Sequence, residues 1–213
     1  PIVVLSAMSG VTNLLTQMAE EAEKGISFNA ALKELESKHF AVVKQLIQIK
    51  NQNPVFTQLK IFLNELEDLL QGVLNLRELS LQSKDLIVSY GERCSTFLIS
   101  KIAEQYFSES LFVEASVLIK TDSNFGNARV DLQKSELLIR QFIQEHSHHF
   151  LFVTGFIASN DNGRVTTLGR GGSDYTAAIF GAALQAEAIE IWTDVDGMLT
   201  AVPRMVKKAF SLP

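Results

Sequence analysis

The sequence has few of the features that mark secreted, membrane or nucleic-acid-binding proteins. Its single cysteine, Cys94, cannot form a disulfide within the chain, which is typical of a reducing compartment. No apolar run approaches the ~20 residues that a transmembrane helix needs, and no basic segment followed by an apolar stretch indicates a secretory signal. The net charge of -5 argues against a general nucleic-acid-binding surface. We therefore expect a cytoplasmic protein without membrane or nucleic-acid partners.

The apolar residues that are present predict an α/β fold. With 213 residues and an apolar share of 46%, the chain can bury one substantial core. Short apolar runs alternate with helical patterns, which predicts a three-layer αβα sandwich with a mainly parallel central sheet. The predicted strands are residues 2–5, 111–115, 150–154, 165–168 and 188–192. The turn Asn160–Gly163 predicts one hairpin near 155–168. Because the chain begins with Pro1 and enters a strand at once, we expect a fragment of a larger domain.

Between residues 28 and 83 the apolar residues are spaced as in helices. This spacing predicts two or three amphipathic helices with a break near Asn51–Pro54, and we find no candidate chemistry there. After Asp85–Ser89, another helix is predicted to begin near Glu92. A carboxylate there is most simply one that stabilises the helix dipole. The histidines at 146, 148 and 149 lack the spacing of a metal site, so we expect none there.

The glycine-rich turn Leu168–Asp174 is the strongest candidate for a ligand site. It joins a predicted strand to an Ala-rich helix, and Ser173 and Asp174 are expected to cap that helix. Such a loop offers free N–H groups and the positive end of the helix dipole to an anion. Arg170 adds a forked donor that suits a carboxylate or a phosphate. The alternative is a tight turn with a surface arginine.

A second turn of small residues follows the first predicted strand. Ser6, Ser9 and Thr12 lie where the strand gives way to a helix. Open α/β sheets bind ligands at the carboxyl ends of their strands. These hydroxyls therefore either contact a ligand or simply cap the helix.

Taken together, the polar turns resemble those of the aspartokinases, members of the amino-acid kinase family. The motifs cover almost the whole chain in the family's order: Val4–Asn13, Ser89–Glu92, Val153–Phe156, Gly169–Asp174 and Trp192–Gly197. Residues 191–194 are also similar to the bifunctional aspartokinase–homoserine dehydrogenases. The resemblance implies a carbamate kinase-like fold. It also implies that residues 1–213 are one catalytic domain, truncated at both ends, with a helical insertion at about 28–83.

The resemblance implies an activity as well. Aspartokinases phosphorylate the side-chain carboxylate of L-aspartate with MgATP, giving 4-phospho-L-aspartate, the first step towards lysine, threonine and methionine. The nucleophile is already a carboxylate, so no general base is needed, and catalysis rests on positioning and on charge neutralisation. A homo-oligomer is expected for the full-length protein.

Roles for substrate-binding residues follow from the matched motifs. By resemblance Arg170 clamps a carboxylate of aspartate, and Glu92 accepts from its ammonium group. Thr12 and Ser173 would hydrogen-bond the remaining polar groups. Asp174 and Arg170 are the residues expected to be catalytic. The resemblance implies that Asp174 organises lysines that face the phosphates.

Nucleotide-binding residues are also implied. They are Ser6, the pair Thr193 and Asp194, Leu199 in a place where some relatives have tyrosine, and Arg204 as a phosphate contact. Val202 stands where the family usually has aspartate. The family's Lys-Phe-Gly-Gly-Thr-Ser loop, a later nucleotide-site lysine and the amino-acid-sensing ACT domains are absent from the sequence. We therefore expect little kinase activity from these residues alone.

Two alternatives stay open at this point. One is a sibling kinase of the same fold that acts on acetylglutamate, glutamate or a nucleotide. The other is a non-catalytic module that binds a nucleotide or an amino acid. Glu92 together with Arg170 favours a free amino acid with an unblocked ammonium group.

Overall fold

The structure, a computed structural model, describes residues 1–147, 149–192 and 206. The helices are α1 (Val11–Glu23), α2 (Asn29–Leu46), α3 (Ile49–Leu76), α4 (Leu81–Ala103), α5 (Leu132–Glu145) and α6 (Gly172–Leu184). The strands are β1 (Ile2–Leu5), β2 (Ser110–Val113), β3 (Lys120–Thr121), β4 (Phe150–Thr154), β5 (Ile157–Asn160) and β6 (Val165–Thr167). A short 3₁₀ turn covers Ala115–Val117.

The strands form two small sheets, and three of their four pairings are parallel, which agrees with the mainly parallel pairing that the sequence predicts. In the first, the order is β1-β4-β2 and both pairings are parallel, with Val4 opposite Val153. In the second, the order is β3-β5-β6; β3 and β5 are parallel, whereas β5 and β6 are antiparallel. The antiparallel pair confirms the hairpin expected near 155–168.

Helices cover both faces of the strands, which confirms the αβα architecture. On one face α4 contacts β1, β2, β4 and β6, and α1, α2 and α3 pack around it in an apolar core of their own. On the other face α5 and α6 pack against the strands in a second core. Alternation along β2 serves both cores, because Leu111 and Val113 face α5 and α6 whereas Phe112 packs on the α4 side.

The helical region between 28 and 83 has its break in a different place from the one expected. Helix α2 ends at Leu46 and α3 begins at Ile49, so the predicted break near Asn51–Pro54 is wrong. Pro54 is the sixth residue of α3. Four residues earlier, Lys50 is exposed, so water can reach the carbonyl that proline cannot satisfy.

Helix α4 begins earlier than expected and places Glu92 in its middle. The hydroxyl of Ser80 caps it by accepting from the Ser83 amide at 3.0 Å. Glu92 is therefore three turns into the helix, and its expected role as a dipole-stabilising carboxylate is wrong. The apolar run before Glu92 is short, and short apolar runs do not distinguish a strand from a buried helix.

Two expectations about the region around α6 are also wrong. The N-cap of α6 is Gly171 in the left-handed conformation, so Ser173 and Asp174 lie in the first turn rather than at the cap. Residues 188–192 do not form a strand. Instead Ile189 folds back onto α6, where its side chain occupies the space that a β-carbon on Gly181 would need.

Among the described residues, no helix has both the length and the apolar character needed to cross a bilayer.

Candidate active site

A cavity of about 320 Å³ lies where β1 and β4 end. Its lining comes from the turn after β1, the first turn of α1, the middle of α4, the turn after β4, and the glycine-rich loop with the first turn of α6. The lining residues are Ser6, Ala7, Thr12, Glu92, Phe156, Gly169, Arg170, Gly171, Gly172, Ser173 and Asp174. The six candidate residues that the structure describes, Ser6, Thr12, Glu92, Arg170, Ser173 and Asp174, all line it. The other four, Thr193, Asp194, Leu199 and Arg204, lie outside the described residues.

Helix α4 fixes the turn after β1 by two hydrogen bonds. The Ser95 hydroxyl donates to the Ser6 carbonyl at 2.7 Å, and the Ala7 amide donates to Oε1 of Glu92 at 3.1 Å. Gly91 permits this approach, because a β-carbon there would lie 2.8 Å from Cβ of Ala7. Helix α4 thus places Glu92 in the wall of the cavity and fixes the position of the turn after β1 relative to it.

Glu92 is the electrostatically unusual group of the site. Its side chain is buried, and among the described residues Oε2 has no hydrogen-bond partner. Burial raises the pKa of Glu92 to about 7, an effect that the hydrogen bond from Ala7 opposes only in part. A buried carboxyl oxygen without a partner is costly unless a donor or a cation reaches it. Glu92 is therefore suited to accept from a ligand ammonium group.

Arg170 supplies the opposite charge. Gly169 and Gly171, at φ 75° and 74°, give the loop the left-handed backbone that carries Arg170 between them. Arg170 is exposed, and none of the described residues forms an ion pair or hydrogen bond with its guanidinium. Its forked donors are therefore available to a carboxylate or phosphate.

The first turn of α6 adds backbone donors to the same wall. In the described part of the chain, no acceptor hydrogen-bonds the amides of Ser173 and Asp174. Free amides at a helix N-terminus, together with the helix dipole, favour an anion.

Close backbone contacts hold α6 against the turn after β4. A β-carbon on Gly155 would lie 2.6 Å from Cβ of Ser173, and one on Gly172 would lie 2.6 Å from Cδ2 of Phe156. Phe156 has φ 66°, a conformation uncommon for a non-glycine residue, and its amide donates to Oγ1 of Thr176 at 3.0 Å. Phe156 lines the cavity without having been chosen from the sequence, although its Gly-Phe turn directly after a buried strand is a signal for it.

These groups define a class of protein. At the carboxyl ends of parallel strands, the described residues bring together one unpartnered carboxyl oxygen, an arginine without an ion pair, three hydroxyls and unbonded amides. This set suits a small amine-bearing anion beside a phosphate. The whole chain, residues 1–213, matches the family described as the amino acid kinase family. The chain belongs to that family.

Its relatives include several aspartokinases. It is 36% identical over 214 residues to lysine-sensitive aspartokinase 3 of Escherichia coli (strain K12), an alignment that covers 98% of this chain and 45% of that protein. It is 31% identical to the bifunctional aspartokinase/homoserine dehydrogenase of Buchnera aphidicola, over 97% of this chain and 26% of that protein. The chain thus spans less than half the length of these relatives.

A solved structure agrees with them. The crystal structure of E. coli aspartokinase III in complex with aspartate and ADP (R-state) superposes with a TM-score of 0.89 and 33% identity, covering 99% of this chain and 46% of that one.

Proposed function

We propose that this chain is catalytic-domain sequence of an aspartokinase. The reaction transfers the terminal phosphoryl group of MgATP to the side-chain carboxylate of L-aspartate and gives 4-phospho-L-aspartate. The observation that supports it most is that Glu92 and Arg170, 78 residues apart in the sequence, line one cavity large enough for an amino acid. The aspartokinase relatives, one of them solved with aspartate and ADP, support the same substrates.

In this proposal the cavity binds aspartate through its opposite charges. The ammonium group donates to Oε2 of Glu92, which has no partner among the described residues. Arg170 holds a carboxylate by a forked pair of hydrogen bonds, and Thr12 and Ser173 bond the remaining oxygens. Binding of the ammonium group favours the ionised form of Glu92, which burial alone disfavours.

The second carboxylate of aspartate is then the nucleophile, and it needs no proton removed. The work of the site is in-line positioning and neutralisation of charge on the transferred group. We propose that the amides at the start of α6 and Asp174 serve the phosphate side, Asp174 by ordering lysines that face the phosphates. Ser6 is proposed to contact the nucleotide.

The remaining nucleotide contacts are proposed for residues outside the described ranges: Thr193, Asp194, Leu199 and Arg204. The Mg²⁺ ion enters as part of the MgATP substrate, held mainly by the phosphates. Among the described residues there is no group of three His, Cys, Asp or Glu side chains placed to hold a metal.

We further propose that residues 1–213 are one catalytic domain of a longer cytoplasmic protein that forms a homo-oligomer. The helices between 28 and 83 would be an insertion in that domain. The single cysteine supports a reducing compartment, and its thiol, Cys94, is buried with a pKa raised by burial to about 12.

A substrate panel on the full-length protein tests the proposal. ADP formation is measured with L-aspartate, N-acetyl-L-aspartate, L-glutamate and N-acetyl-L-glutamate. We expect turnover of L-aspartate and strong loss on acetylation, because an amide cannot supply the cation that Glu92 requires. Preference for N-acetylated acids would indicate a sibling kinase. Binding of aspartate and ATP without turnover would indicate a non-catalytic module.

A further inference from the structure

A second buried carboxylate lies on α4, seven residues before Glu92. Asp85 is 2% exposed, and its oxygens accept three hydrogen bonds. Oδ1 accepts from the Thr167 hydroxyl at 2.8 Å, and Oδ2 accepts from the Thr167 amide at 3.0 Å and the Gly126 amide at 2.8 Å. Residues seven apart lie two helical turns apart on one face, about 10 Å along the axis. One face of α4 therefore holds both carboxylates.

The groups that donate to Asp85 lie in two segments that adjoin the glycine-rich loop. Thr167 is the last residue of β6, three residues before Arg170. Gly126 lies in a turn that packs against the glycine-rich loop. Oδ1 of Asn127, the residue after Gly126, lies 2.6 Å from the position that a β-carbon on Gly169 would take. The same turn is paired to β6, since the Ala128 amide donates to the Thr167 carbonyl at 2.9 Å.

A carboxylate at position 85 links these two segments better than an apolar side chain could. It accepts from three donors that converge from two segments, and it brings no donor that would itself need a partner. No lysine or arginine of the described residues forms an ion pair with it. Burying a carboxylate on hydrogen bonds alone is unfavourable, and burial raises the pKa of Asp85. Simple packing at this position would be easier to achieve with an apolar residue.

We propose that Asp85 is a positioning residue that sets the distance between Glu92 and Arg170. It ties the helix that carries the glutamate to the strand and the turn that support the arginine loop. The kinetic part of this inference rests on the proposed aspartate kinase activity. Because a shift of about 1 Å in a reacting geometry can cost roughly 100-fold, Asp85→Ala should lower kcat/KM for aspartate by about that factor.

The experiment is a double-mutant cycle in the full-length protein. Asp85→Ala, Arg170→Ala and the double variant are compared for kcat and for the KM of aspartate and of MgATP. If Asp85 acts through the arginine loop, its roughly 100-fold effect should shrink at least about tenfold in the Arg170→Ala background. The MgATP KM should change less than about threefold. Equal effects of Asp85→Ala in both backgrounds would overturn the proposal.

Two variants separate positioning from loss of fold. Asp85→Asn keeps an acceptor for the two amides and can donate to the Thr167 hydroxyl, so it should stay within about tenfold of wild type. Asp131→Ala removes the cap of α5, which accepts from the Lys134 amide at 3.0 Å, and serves as a control for lowered Tm with unchanged kinetics.

If Asp85→Ala does not fold, Thr167→Val replaces it and removes one of the three hydrogen bonds to Asp85. Unchanged aspartate kinetics in Thr167→Val would then overturn the proposal.

Failure of the proposed kinase activity can be distinguished from failure of the inference about Asp85. Wild-type protein without aspartate turnover would refute the activity, and amide hydrogen exchange would then test Asp85. Asp85→Ala, or Thr167→Val in its place, should accelerate exchange in residues 122–128 and 165–172 but leave α1, α2 and α3 unchanged. Unaltered exchange in those two segments would overturn the inference whatever the activity.

Discussion

Replacing Glu92 by glutamine should stabilise the ligand-free protein and abolish its aspartate binding. The folded protein holds this carboxyl in a buried place where its pKa is raised from 4.5 to about 7. An acid whose folded-state pKa lies above its unfolded value favours the protonated form on folding. Stability is therefore lost as the pH rises from about 4.5 to about 7, and the loss is complete above that range.

The size of the effect follows from the shift. A difference of about 2.5 pKa units corresponds to roughly 3 kcal/mol, and on the order of 2 kcal/mol of it falls between pH 5 and pH 8. Glutamine mimics the protonated acid, because it keeps an acceptor for the Ala7 amide and never ionises. The free energy of unfolding of Glu92→Gln should therefore exceed that of wild type near pH 8, and the two should converge near pH 5.

Urea unfolding at both pH values measures this difference. Glu67→Gln is the matched control, since Glu67 is exposed on α3 and should respond little at either pH. Glu92→Gln should nevertheless lose aspartate binding, since it offers no negative charge to the ammonium group. If the stability of Glu92→Gln relative to wild type does not change with pH, the claim that the ionised Glu92 carboxyl destabilises the ligand-free protein is refuted.

Three further substitutions probe the rest of the account. Arg170→Lys should lower kcat/KM for aspartate about 100-fold, with the MgATP KM nearly unchanged, because one ammonium group cannot replace a forked pair of hydrogen bonds; near-wild-type steady-state kinetics would contradict this role. Gly155→Ala places a β-carbon 2.6 Å from Cβ of Ser173, so we expect a Tm lower by several degrees and a raised aspartate KM. Gly72→Ala, where a β-carbon would meet nothing beyond the backbone of its own helix, should be neutral or stabilising. Asp131→Ala should lose about 1 kcal/mol in denaturant unfolding, with kinetics intact; altered kinetics would show that α5 influences the site.

Local signals were enough to predict most of the fold. The apolar runs at 2–5 and 150–154 are bounded by small residues, and Asn160–Gly163 is a turn sequence, so strands and hairpin follow from nearest neighbours. The run at 188–192 has the same local character. It has no strand partner in the described part of the chain, because pairing depends on a neighbouring sheet edge and not on the run itself.

The middle of α4 shows where local signals fail. Gly91 is a poor helix residue, and the apolar residues before it are compatible with a strand. The helix nevertheless continues through this position, and the missing side chain leaves room for Ala7, 84 residues away. Glu92 is buried beside this contact and accepts from the Ala7 amide, so neither its burial nor its raised pKa could be read from the sequence.

The candidate site shows the same division. The glycine-rich loop and Arg170 could be selected from a strand–glycine–helix pattern. Asp85 could not, since it acquires its place through Thr167, 82 residues away. Phe156 has a local signal in its Gly-Phe turn, but its place at the cavity also depends on the bond to Thr176. The local pattern found Arg170, whereas only the resemblance to a family assigned Glu92 to the ligand, and Asp85 emerged only from the fold.

A crystal structure of the full-length protein with L-aspartate bound is the most direct test of the central claim. We expect aspartate in the cavity between α4 and the glycine-rich loop, with its ammonium nitrogen within hydrogen-bonding distance of Oε2 of Glu92 and one carboxylate bound by both terminal nitrogens of Arg170. Aspartate bound elsewhere, or bound here without contact to either side chain, would contradict the account.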